Sequence, residues 1–118
     1  MLSFQQFVES NGDDLTVISV SSLEIDKINE ELIHCLSESS VNPYREWGNA
    51  TRTLSLFGID LPKVVFEDLD EGEEIVILNC EGTDYYFYYS FWLNEDGSYD
   101  SFATVTDESG LEEILKEE

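Results

Sequence analysis

Apolar residues recur along this chain with two periods, one near three and a half and one of two, and the change between them falls around residue 62. Phe4, Phe7 and Val8 share one face of a helix predicted over residues 3–10, with Asn11-Gly12 as its stop. Residues 15–20, LTVISV, are dense in β-branched side chains and predict a strand. Ile25, Ile28, Leu32 and Leu36 then recur at spacings of three and four and predict a helix to about residue 38. Ser21-Ser22-Leu23-Glu24 ahead of it has the form of a capping box, with a serine hydroxyl accepting from a free amide and Glu24 reaching back. Asn42-Pro43 predicts another helix start, because asparagine caps and proline suits the first helical position. Tyr44, Trp47, Thr51, Leu54 and Phe57 would share its face, Gly58 would end it in a left-handed cap, and Ile59 would pack back. Gly48-Asn49 interrupts the pattern and leaves a strand over 51–57 as the alternative.

After Leu61-Pro62 the period becomes two. KVVF (63–66), EIVILNC (74–80), DYYFYYSFWL (84–93) and YDSFATV (99–105) predict strands, joined by EDLDEGE, EGT and NEDGS. Short connections containing glycine favour antiparallel hairpins over parallel crossovers. Leu111, Ile114 and Leu115 give DESGLEEILKEE the apolar stripe of a final helix. The expected fold is a single α+β domain over residues 1–118. N-terminal helices pack on a C-terminal antiparallel β-meander of about four strands, and a short C-terminal helix closes the chain.

A chain of 118 residues buries roughly two thirds of the surface that its unfolded form exposes. With 42% apolar and 13% aromatic residues, it is too rich in core-forming side chains to be disordered by its own charge. The longest apolar runs, such as Ile75 to Leu78, are far too short to cross a bilayer. MLSFQQFVESNGDD at the start lacks the positive residues and apolar stretch of a secretory signal, so the cytoplasm is the expected compartment. Cys35 and Cys80 lie outside any CxxC spacing and are expected to be reduced and buried.

Charge alters the picture most. The formal net charge is −22, and residues 64–118 hold seventeen acidic residues against one basic, Lys116. In a meander the first and third turns emerge at the same end of the sheet. Glu67, Asp68, Asp70, Glu71 and Glu73 of the first should therefore lie near Glu95 and Asp96 of the third, with Glu74 and Asp100 just inside the strands. Two strand spacings, roughly 10 Å, separate the turns. That is close to the Debye length of about 8 Å at physiological ionic strength, so these carboxylates repel one another. Acidic turns aid solubility, but so large a surplus at one end favours a positively charged partner. The same sign excludes nucleic acid and anionic membrane surfaces as direct partners.

Calcium is the simplest cation to consider. Asp68-x-Asp70-x-Gly72 and Asn94-x-Asp96-x-Ser98-x-Asp100 place oxygens on alternate residues, as a calcium loop does. Neither continues correctly, since glycine is misplaced in each and position twelve from Asn94 is Val105, so no metal is assigned. His34 is the sole histidine, and no GxSxG, HExxH, Walker loop or GxGxxG occurs. No catalytic role and no cofactor are expected.

Within DYYFYYSFWL, Tyr85, Phe87, Tyr89, Phe91 and Leu93 point to one side, and Tyr86, Tyr88, Ser90 and Trp92 to the other. The first set is a core face. The second admits two arrangements, a strand covered on both sides by helices, or Tyr86, Tyr88 and Trp92 left partly exposed beside the acidic turns. In the second arrangement aromatic anchors inside an acidic rim form a contact surface for a basic protein, since tyrosine and tryptophan dominate binding energy at interfaces. The partner-binding candidates are then Glu67, Asp68, Asp70, Glu71, Glu73, Glu74, Glu95, Asp96 and Asp100 with Tyr86, Tyr88 and Trp92. Composition thus suggests a stoichiometric inhibitor that occupies the nucleic-acid-binding surface of a partner, such as an immunity protein against a nuclease toxin. A phage or plasmid DNA mimic directed at restriction or CRISPR complexes is one alternative, its carboxylates standing where phosphates would. A soluble housekeeping adaptor is another.

Overall fold

The computed structural model describes residues 16–35, 43–63 and 69–116. Its elements run β1 (Thr16–Val20), α1 (Ile25–Cys35), α2 (Pro43–Ser55), β2 (Glu71–Cys80), β3 (Thr83–Leu93), β4 (Tyr99–Thr106) and α3 (Glu108–Lys116). The strands form one sheet in the order β1-β2-β3-β4. The α+β class, the helices ahead of the meander and the short closing helix are as expected.

The fourth strand of the described sheet is β1, which pairs in parallel with β2 from Thr16↔Val76 to Val20↔Cys80. The described sheet is therefore mixed, with β2, β3 and β4 as its antiparallel meander. A parallel pair needs a long crossover, and α1 and α2 supply it. Val64 to Phe66 of KVVF, like the helix expected over residues 3–10, fall outside the described residues.

Strand β2 begins at Glu71, three residues earlier than its apolar run suggests. Glu71, Gly72 and Glu73 are ladder residues opposite Trp92, Phe91 and Ser90, not turn residues. Backbone pairing to the aromatic β3 overrides the weak strand preference of glutamate.

Helix α1 starts later than its serines imply. The amide of Ile28 donates to the carbonyl of Glu24 at 3.0 Å, which makes Glu24 the cap residue. The capping box is not formed; Glu24 instead accepts from Lys27 Nζ at 3.1 Å. Helix α2 is a helix throughout, so the strand alternative over 51–57 fails. Its end follows expectation: Gly58 has φ 81°, its amide donates to Ser55 O, and the amide of Ile59 donates to Leu54 O, both at 3.0 Å. That pair of bonds is a Schellman ending, and Ile59 is buried behind it.

One face of the sheet carries α1 and α2. Ile28, Leu32, Trp47, Ala50, Leu54 and Ile59 bury against Val76, Leu78, Phe87, Tyr89, Phe91, Ala103 and Val105. Trp47 meets Tyr89 edge-on at 5.2 Å and Phe87 at 5.8 Å between ring centroids, within the preferred range for aromatic pairs. The opposite face carries α3, whose Leu111 and Leu115 cover Ile75, Tyr86 and Tyr88.

Strand β4 is an edge of the described sheet, and α1 covers part of it. Asn29 Nδ2 donates to Val105 O at 2.9 Å, and the amide of Val105 donates to Asn29 Oδ1 at 2.7 Å. The side-chain amide thus completes the pairing a further strand would make, which protects the edge. Cys35 and Cys80 are free, as expected, but half-buried rather than buried. Both sit at the last residue of their elements.

Replacing Asn29 with alanine leaves the partly buried Val105 amide and carbonyl without this partner. Asn29→Ala is expected to cost about 1–3 kcal/mol, read from urea denaturation; an unchanged midpoint would show that water replaces the amide at no loss.

Candidate functional site

Chain reversal after β4 decides which part of the second sheet face is covered. A single residue, Asp107, separates β4 from α3. Its carboxylate accepts from the amide of Gly110 at 2.8 Å, and its carbonyl accepts from the amide of Leu111 at 3.0 Å. This is an N-cap. A Cβ at position 110 would collide with the side-chain oxygen of Thr106, so glycine permits the sharp return. Helix α3 must therefore lie over the end of the sheet where β4 finishes. It has nine residues against the eleven of β3. At about 1.5 Å per helical residue and about 3.3 Å per strand residue, it reaches less than half of the strand's length.

Tyr86 and Tyr88 fall beneath it, 6% and 1% exposed. They are core residues, and their assignment to a contact surface is corrected: Leu111 and Leu115 occupy the space a partner would need. Burial raises the Tyr86 hydroxyl pKa above its ordinary value, with smaller contributions from the charges of Asp84 and Glu108. Trp92, two residues beyond Ser90 on the same side of β3, lies past the helix and is 43% exposed.

The register builds the end that α3 does not reach in two cross-strand rows. Glu71, Trp92 and Asp100 form the outer row, and Glu73, Ser90 and Phe102 the inner row. Phe102, also 43% exposed, leans on the Tyr88 ring at 6.1 Å between centroids. Tyr88 contributes from below, because its hydroxyl donates to Glu73 Oε2 at 2.7 Å. A buried ring on a rigid strand thus fixes the direction of one exposed carboxylate.

Asp70, Glu95 and Asp96 stand at the same end. The amide of Leu93 donates to Asp70 O at 2.8 Å, joining the approach to β2 with the turn after β3. Residues 94–98 form that turn, closed by the amide of Asn94 on Ser98 O at 2.8 Å. Asp96 Oδ1 accepts from the Ser98 hydroxyl at 2.6 Å and from its amide at 3.0 Å. These bonds hold the Asp96 carboxyl below the usual range, the hydroxyl contributing most. The alternate oxygens from Asn94 to Ser98 are therefore partners within a turn. Among the described residues no cluster of histidine, cysteine, aspartate and glutamate has the geometry of a metal site.

Glu74 does not join this surface. Its side alternates with that of Glu73, so it faces the α1/α2 layer, half-buried and opposite Tyr89 in the register. Glu67 and Asp68 lie outside the described residues. Phe102 was absent from the sequence candidates, although alternation along YDSFATV places it on the side of Asp100. Its relevance depended on knowing that β4 pairs Asp100 with Trp92.

Burial raises the Glu74 carboxyl above its ordinary value of 4.5. The folded chain thus holds this proton more tightly than the unfolded chain, a contribution complete below the unfolded value and lost as pH rises through the raised folded value. Glu74→Gln is expected to be more stable than the parent at pH 7, with the advantage shrinking as pH falls toward 4.5. Urea denaturation of both proteins across that window checks this, and a pH-independent difference would contradict it. No known protein family, curated protein or solved structure matches the chain.

Proposed function

We propose that this protein is a stoichiometric inhibitor that binds the basic, nucleic-acid-binding surface of another protein, in the manner of an immunity protein bound to a nuclease toxin. The observation that carries this reading is an exposed tryptophan on a rigid central strand, flanked by Glu71 and Asp100 in a chain of net charge −22. Large exposed aromatics serve as interface anchors, and truncating one can cost about 2 kcal/mol or more of binding energy. The surrounding carboxylates, Asp70, Glu73, Glu95 and Asp96 among them, supply the field that draws a basic partner in and repels nucleic acid.

The two parts act at different stages. Long-range attraction speeds arrival and is weakened by salt, whereas a desolvated ring acts after docking. Solubility alone accounts for acidic turns but not for apolar rings set among them.

A partner captured at low salt and held on a sensor surface gives the test. Replacing Asp70, Glu71, Glu95 and Asp96 by their amides is expected to slow association and flatten its salt dependence. Trp92→Ala is expected mainly to speed dissociation. Added DNA or RNA should displace the protein, and the protein should displace nucleic acid. A captured partner that docks through an acidic or purely apolar surface, indifferent to nucleic acid, would overturn the proposal.

A further inference from the structure

The residues at the end of the sheet that α3 does not reach point to one kind of side chain as their ligand. Resting on the function proposed above, we infer that Trp92, Glu71 and Asp100 form a receptor for an arginine side chain of the partner, and that lysine is a poor substitute. Residues directly opposed on one face of an antiparallel pair have Cβ atoms about 4.5–5.5 Å apart. Glu71 and Asp100 are the opposed residues on the two sides of Trp92. The Trp92 side chain therefore leaves the sheet between those of Glu71 and Asp100, on a backbone that cannot splay because β3 is paired along both edges.

A cation over this ring is attracted by its quadrupole. Guanidinium is the cation that fits, being planar and weakly hydrated, with donors around its rim. Stacked on the indole, it can direct N–H groups outward to a carboxylate on either side while its face stays on the ring. A lysine ammonium is a compact, strongly hydrated point charge without that face. Phe102 and Ser90 on the next row give the arginine's aliphatic stem a partly apolar floor. Glu73, held by the Tyr88 hydroxyl, stands at its edge.

Charge complementarity decides the occupant. A second copy of this chain would bring a further −22 charges against the same carboxylates, and like charges so placed oppose association.

Short blocked peptides with arginines spaced by glycine and serine, and their lysine counterparts, are the probes. Trp47 lies in the core, so an emission change lost in a Trp92 variant places binding at this site, and isothermal titration calorimetry reads the affinities of parent and variants alike. The arginine peptide is expected to bind about five- to tenfold more tightly than the lysine peptide. Trp92→Leu keeps apolar bulk without the π face and should abolish the preference while leaving salt-sensitive binding of both. Trp92→Phe, which restores a ring, should recover part of it. Far-UV circular dichroism verifies that each variant is folded. Equal affinity of the two peptides for the parent, or a preference that survives Trp92→Leu, overturns the arginine receptor while leaving the basic-partner reading standing. Failure of both peptides to bind at low salt overturns both. A dimer at the working concentration, dissolved by Trp92→Leu, would give the face to a second copy and also overturn the inference.

Discussion

Asp107 turns the chain from β4 into α3 with a single residue and caps the helix it begins. That reversal pins α3 to one end of the sheet, and the helix is too short to reach the other. Everything distinctive about the second face follows from this difference in length. Tyr86 and Tyr88 are sealed under Leu111 and Leu115, whereas Trp92 and Phe102, on the same side of the same sheet, remain in contact with solvent. A helix one or two turns longer would have covered this face of the sheet along its length and left no exposed ring on it.

The same geometry explains how the fold tolerates its charge. Five basic residues face twenty-seven acidic ones, so neutralisation by ion pairs is arithmetically out of reach. The pairs Lys27–Glu24 and Lys116–Glu113 are exposed and three residues apart on their helices, an arrangement worth at most about 1 kcal/mol. Stability comes instead from burial on both sides of β3, with large rings above and below one strand. Most of the described carboxylates stand where water and counterions screen them; the exceptions include Glu74, whose half-burial is a local cost, and Glu46 of α2, which is buried.

For the proposed binding role, this division separates two tasks within one sheet. Backbone pairing holds Trp92 between Glu71 and Asp100, and the Tyr88 hydroxyl holds Glu73 from underneath. Such a surface is organised before a partner arrives, which lowers the ordering cost of association.

Much of this was legible in the sequence because it depends on local chemistry. The spacing of Ile28 and Leu32 predicts α1, Pro43 and Gly58 mark the limits of α2, and alternation in DYYFYYSFWL separates the core face of β3 from its second face. The seat of the acidic end at the 94–98 turn was also legible, since hairpin connectivity fixes which turns are neighbours. What the sequence could not determine is non-local. The parallel pairing of β1 to β2 depends on a crossover whose direction no residue in TVISV encodes. The entry of Glu71-Gly72-Glu73 into the ladder depends on the strand opposite them, which overrides their own weak preference. The separation of Trp92 from Tyr86 and Tyr88 was decided only by tertiary structure. The three share one side of one strand, and the burial of each is set by how far a helix from elsewhere in the chain reaches across it.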